Sequence, residues 1–177
     1  MLEERLKSVI RDIPDFPQPG IIFKDITPIL KDQQLCGEIV DQLAERLQGI
    51  EIDAIAGVES RGFLFGMLLA NRLDVPFIPI RKQGKLPFKT ISESYKLEYG
   101  QATIEVHEDA FAAGSKVLIH DDLLATGGTV VAASKLLEKL GADVVGYAFI
   151  ISLDFLHSEG RLTRFSDRVI SLARFDA

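Results

Sequence analysis

Residues 117–141, VLIHDDLLATGGTVVAASKLLEKLG, leave this chain few choices of fold. The apolar run Val117, Leu118, Ile119 leads to two adjacent acids, Asp121 and Asp122. It then passes through Ala125-Thr126-Gly127-Gly128-Thr129 into an amphipathic stretch that stops at Gly141. That order predicts a buried strand, a loop and a helix. The first backbone N–H groups of a helix have no partner within it, and glycine lets the backbone approach a bound group without an intervening Cβ. The loop is therefore suited to an anion, phosphate above all. Two carboxylates at the C-terminal edge of the strand can accept hydrogen bonds from sugar hydroxyls or attract a metal-bearing substrate. A phosphate beside a polyhydroxy group describes a sugar phosphate.

Other phosphate signatures fail on spacing. No two glycines stand two positions apart, so the G-x-G-x-x-G dinucleotide fingerprint is absent. Gly57 and Gly62 have mononucleotide-loop spacing, but Phe63 follows where such a loop needs Lys. The 177 residues, 47% hydrophobic and 26% charged, suffice for one domain with a sizeable core. A formal net charge of −6 argues against nucleic acid as a partner, because a phosphate backbone demands a basic face. The single cysteine, Cys36, excludes an internal disulfide, and within its helix it reads as a small packing residue. No apolar run approaches the roughly 20 residues of a membrane span, and no signal-like segment opens the chain. A cytoplasmic protein without a membrane partner is the default expectation, and no repeat or linker divides residues 1–177.

Leu2, Leu6, Val9, Ile10 and Ile13 recur at helical spacing until Pro14, which predicts an opening amphipathic helix followed by an irregular, proline-rich stretch. Asp32 is a candidate N-cap for a helix with Leu35, Ile39, Leu43 and Leu47 on one face. Residues 52–58 read as a buried strand. Glu59-Ser60-Arg61-Gly62 then leads to an apolar helix at 63–73 that should be covered on most sides. This second strand–loop–helix unit is an anion site in outline, its Arg61 either a ligand or a solvated charge. A strand at 75–80 precedes a basic cluster, Arg81, Lys82, Lys85 and Lys89, which would draw a polyanion in a chain of net negative charge. Tyr95, Leu97, Ile104 and Val106 alternate about Gly100, suggesting a two-stranded arm able to close over a reaction and exclude water. Residues 109–113 read as a helical turn, and His120 as a hydrogen-bonded strand histidine. A strand at 144–151 and a further one at 168–173 complete the pattern. Strands alternating with helices imply a mostly parallel sheet covered on both faces, with ligands at the C-terminal strand edge. No histidine spacing suggests a metal site.

The run at 117–129 resembles the 5-phosphoribosyl-1-pyrophosphate (PRPP) motif of the type I phosphoribosyltransferases. Residues 13–25, Glu59-Ser60-Arg61-Gly62-Phe63 and Leu97-Glu98-Tyr99-Gly100 are similar to stretches of its adenine-specific members. The resemblance spans residues 14–151. It implies an α/β fold of that type, a mostly parallel central sheet flanked by helices, with a small hood at about 1–31 and a flexible two-stranded arm at about 82–106. It implies transfer of phosphoribose from PRPP to adenine, giving AMP and pyrophosphate, with Mg²⁺ borne by the substrate, and a homodimer. Asp121, Asp122 and Ala125 to Thr129 would then hold the ribose phosphate. Ser60, Arg61, Arg81, Lys82 and Lys85 would hold pyrophosphate, across an expected cis peptide at Glu59-Ser60. Phe23 would stack on the base, with Leu123 beside it and Ile22 and Lys24 reading its edge through their backbone. Some relatives carry Arg at the position of Lys24, a change that backbone reading survives. Glu98 would move a proton at the base, next to the lid residue Tyr99.

Two alternatives compete. One is the same chemistry on a 6-oxopurine. Enzymes of that kind typically use a lysine beyond the PRPP motif, and this chain has none after Lys139. The other is a non-catalytic regulator on the same fold, a class that usually adds a basic DNA-binding segment, which this sequence lacks, and can lose the arm.

Overall fold

The computed structural model describes residues 1–97 and 99–177. In order, the chain forms α1 (Leu2–Val9), β1 (Arg11–Pro14), β2 (Ile22–Asp25), a 3₁₀ turn (Thr27–Lys31), α2 (Gln33–Arg46) and β3 (Ala54–Val58). It continues through α3 (Gly62–Leu73), β4 (Phe77–Lys82), β5 (Thr90–Lys96), β6 (Gln101–His107), β7 (Lys116–Leu124) and α4 (Gly128–Lys139). After β8 (Asp143–Leu153) come two 3₁₀ turns (Asp154–Leu156 and Ser158–Arg161) and β9 (Val169–Phe175).

Seven strands make one sheet in the order β5-β6-β4-β3-β7-β8-β9. The five from β4 to β9 run parallel, and β6 joins β4 antiparallel, with β5 as the edge. Side chains alternate across a strand, so Leu118 packs with α1, α2 and α3 while Val117 and Ile119 pack with α4. Burial on both faces is why the central strands read as unbroken apolar runs. Phe77 fills a notch beside β3 and α3: a Cβ at Gly57 would lie 2.4 Å from its ring and one at Gly66 2.7 Å. The glycines therefore set how closely α3 approaches the sheet. Asp32 caps α2 as the sequence predicts, accepting from the Leu35 N–H at 3.0 Å. Cys36 is half-buried in that helix with its Sγ 3.4 Å from the Ile29 carbonyl, a packing position.

The structure corrects four local expectations. The first helix stops at Val9; Ile10 turns extended, and Arg11–Pro14 pairs with Ile22–Asp25, bringing Ile13 opposite Phe23. Pro14 biases its predecessor toward extended backbone, and the pairing then wins over the helical spacing. Residues 109–113 form turns rather than a helix, with the Gly114 N–H bonded to the Gly141 carbonyl at 2.7 Å. α3 is covered on one face only: Phe65, Gly66, Leu69 and Ala70 are buried, but Leu64, Met67 and Leu68 are 42%, 53% and 47% exposed. His120 is wholly buried with neither ring nitrogen hydrogen-bonded, because the part of α3 it faces is Gly66 beside the Phe77 ring.

The arm strands β5 and β6 pair from Thr90↔His107 to Lys96↔Gln101, continuous with the sheet. Among the described residues no helix is long and apolar enough to cross a membrane.

Candidate active site

The two anion loops meet because β3 and β7 are parallel neighbours, Ala54 opposite Val117 through Gly57 opposite His120, so both chains leave the sheet at the same edge. Between them lies a cleft of about 270 Å³. One wall is the loop from Ala125 to Thr129, with Asp121, Asp122 and Leu123 leading into it. The opposite wall is Ser60 and Arg61, with Lys82 at the rim.

Gly127 forms the N-cap of α4 at φ +81°, a left-handed conformation that side-chain-bearing residues avoid. Its carbonyl starts the helix by accepting from the Val131 N–H at 2.9 Å. The N–H groups that follow open onto the cleft, where the helix dipole favours an anion. Arg161 braces the loop from outside, its Nη1 donating to the Thr126 carbonyl at 2.5 Å.

Asp122 is buried, and its Oδ2 lies 3.2 Å from Arg61 Nε. Asp121 Oδ1 accepts from the Asp122 N–H at 2.8 Å. Burial, followed by the charge of Asp122, pushes the Asp121 carboxyl well above the usual range. A buried carboxyl that resists ionisation gains most from partners that favour its charged form, such as hydroxyl donors or a cation carried by a ligand. The adjacent His120 is pushed down to about 4 by burial, against the opposing pull of Asp122.

On the second loop the Glu59-Ser60 peptide bond is cis, as the resemblance implied. Burial works against ionising Glu59, yet the Lys82 N–H at 2.6 Å and Arg81 Nη2 at 3.2 Å hold its carboxyl below the ordinary value. Arg81 is thereby tied to Glu59 and to the Lys85 carbonyl, and neither Arg81 nor Lys85 lines the cleft. Arg61 is differently placed. Its guanidinium stands 4.8 Å over the Phe23 ring, and its Nη1 is buried without a partner among the described residues.

Phe23 is half-buried, with Phe16 edge-on at 5.2 Å. It reaches the cleft only through Arg61. The Lys24 side chain turns away, bonded to Asp12 at 2.8 Å with its Nζ over Phe175. Ile22 is 57% exposed. Tyr99 is exposed and does not line the cleft, and Glu98 lies outside the described residues.

Sequence reasoning gave no site role to Glu59, Tyr95 or Ile104, all of which line the cleft. Tyr95 arrives from the arm and meets Thr129, whose Oγ1 donates to its hydroxyl at 2.9 Å. The alternation that marked it as a strand residue carried no signal for that long-range contact.

The chain matches the phosphoribosyl transferase domain family over residues 24–168. It is 52% identical over 175 residues to the adenine phosphoribosyltransferase of Cytophaga hutchinsonii, covering 99% of this chain and 97% of that one. The crystal structure of adenine phosphoribosyltransferase from Thermoanaerobacter pseudethanolicus superposes with a TM-score of 0.94 at 50% identity, covering 99% and 100% of the two chains. The Saccharomyces cerevisiae enzyme, complexed with an imino-altritol bisphosphate and adenine, is 40% identical with a TM-score of 0.88, over 97% and 98%. This chain belongs to the phosphoribosyl transferase family, among its adenine phosphoribosyltransferases.

Proposed function

We infer that the chain transfers the 5-phosphoribosyl group of PRPP to N9 of adenine, releasing pyrophosphate and giving AMP in purine salvage. The observation that carries this is the single cleft in which the glycine loop, the paired aspartates and Arg61 converge, in a chain alike over nearly its full length to adenine phosphoribosyltransferases.

The Ala125–Thr129 amides and the Thr126 hydroxyl grip the 5′-phosphate, while Asp121 and Asp122 hold the ribose hydroxyls. Ser60, Arg61 and Lys82 face the leaving pyrophosphate, with Arg81 and Lys85 supplying positive potential from behind. Mg²⁺ enters with the diphosphate of PRPP, as part of that substrate. Cleavage of the C1′–O bond develops oxocarbenium character at the ribose, so holding both its phosphate and its leaving group lowers the barrier by positioning and electrostatics. The β1–β2 hairpin serves as a hood for the base, Phe23 stacking on it beside Leu123, with the Ile22 and Lys24 backbone at its edge. The arm carries Glu98 to the purine as proton acceptor or shuttle, with Tyr99 in the lid. The enzyme works in the cytoplasm as a homodimer, for which the exposed Leu64, Met67 and Leu68 offer a face.

Pyrophosphate release from PRPP and Mg²⁺ with adenine, hypoxanthine or guanine tests the reading. Adenine alone should support turnover; activity with a 6-oxopurine, or with no base, rejects the assignment. Glu98→Gln should cut turnover about a hundredfold or more while sparing PRPP binding. Wild-type turnover in that variant removes Glu98 from the chemistry.

A further inference from the structure

Tyr95 is distant in sequence from residues 125–129, yet it packs against them. A Cβ built on Gly128 would lie 3.4 Å from its Cδ2, and its hydroxyl accepts from Thr129 Oγ1 at 2.9 Å. Both partners belong to the wall of the same cleft. The strand that carries Tyr95 is also fastened to the far end of α4, where Lys139 Nζ donates to the Ser92 carbonyl at 3.0 Å and pairs with Glu93 at 2.6 Å. The helix that offers its N-terminus to an anion is thus joined to the arm at both ends.

A hydroxyl has one proton and two lone pairs. With Thr129 donating to it, the Tyr95 oxygen keeps its own proton for another acceptor, and among the described residues it has no second hydrogen-bond partner. An anion seated on the loop would present such an acceptor. We propose that Tyr95 is a further ligand of the 5′-phosphate, donating its O–H from the arm, and that through Thr129 it links seating of the phosphate to the arm's position. This deepens the function proposed above and rests on it. The arm then does more than cover the site, since it completes the anion cradle with a charge-assisted hydrogen bond.

Titration calorimetry with AMP, adenosine and pyrophosphate tests the role, on wild type, Tyr95→Phe, Thr129→Val and the double variant. Tyr95→Phe is expected to weaken AMP about tenfold and leave adenosine and pyrophosphate unchanged, because only AMP brings a 5′-phosphate. The double variant should lose less than the product of the two single effects, as the hydroxyls act as a unit. Unchanged AMP affinity in Tyr95→Phe, or an equal loss for all three ligands, overturns the proposal. Thermal melting monitors folding; if the variant melts early, the ratio of AMP to pyrophosphate affinity still decides, because general loosening moves both. Wild-type protein that binds no AMP rejects the functional reading itself, whereas an unmoved ratio rejects only Tyr95.

Discussion

Arg61 is held by two neighbours and keeps a donor in reserve. Its Nε lies 3.2 Å from Asp122, its guanidinium stacks over Phe23 at 4.8 Å, and its buried Nη1 has no partner among the described residues. An arriving diphosphate can satisfy that donor, and any shift of Arg61 toward it uncovers the face of Phe23 proposed to take the base. Arg61→Lys keeps the charge but loses the planar fork, and kcat/KM for PRPP should fall by about ten- to a hundredfold in steady-state kinetics. An unaltered value would reduce Arg61 to a structural partner of Asp122. His120 makes a different prediction. Unfolded, its imidazole protonates near 6.5; folded, burial lowers that to about 4. Between these values the unfolded chain binds more protons, so stability is complete above pH ~6.5 and is lost as pH falls toward ~4, by about 3 kcal/mol in all. In urea melts at pH about 7.5 and about 5, His120→Val should narrow the stability difference. An unchanged difference would show that other groups set the acid limb.

At the scale of elements, the N-terminus of α4 depends on backbone that side chains would spoil. Gly127 at φ +81° would strain any L-residue by roughly 1–2 kcal/mol, and a Cβ on Gly128 would already stand in contact with the Tyr95 ring at 3.4 Å, so a branched side chain must find room beside it. Replacing both glycines by Val should abolish PRPP binding in calorimetry; retained affinity would mean that the anion sits elsewhere. This unit was legible in the sequence because its signals are local: a β-branched run, two acids, two glycines and a helical period within one stretch. The Asp32 cap was readable for the same reason. The end of α1 was not, since the β1–β2 pairing that decides it joins residues across a proline-rich loop. Nor could the sequence place Tyr95 on Gly128, or reveal that His120 and Phe77 both close on Gly66, contacts made by tertiary packing alone. The partner of Arg81 was hidden for a related reason: a basic cluster marks an electropositive edge, but the Glu59 carboxylate bonded to its guanidinium comes from another strand's loop.

For the whole molecule, the surplus apolar surface is the feature a single chain does not explain. Leu64, Met67 and Leu68 fall on one face of α3 by their three- and four-residue spacing. Leu68 continues into a groove of about 390 Å³ between α2 and α3, where Cys36, Gly37 and Val40 are joined by the polar Gln33, Asp41, Asn71 and Arg72. An exposed apolar face of this kind marks an association surface, and a stable pair would bury about 1,200 Å² or more in total. The proposed homodimer therefore places this face between protomers. Wild-type protein should sediment as a dimer, and Met67→Glu with Leu68→Glu should convert it to a monomer, because two facing pairs of buried carboxylates would have no partners. The cleft described here is built from one chain, so the monomeric variant should bind AMP within a few-fold of wild type. Its melting temperature should fall and lose its dependence on protein concentration. A wild-type monomer would remove the dimer from the account, and loss of AMP binding on dissociation would mean that the second protomer completes the site.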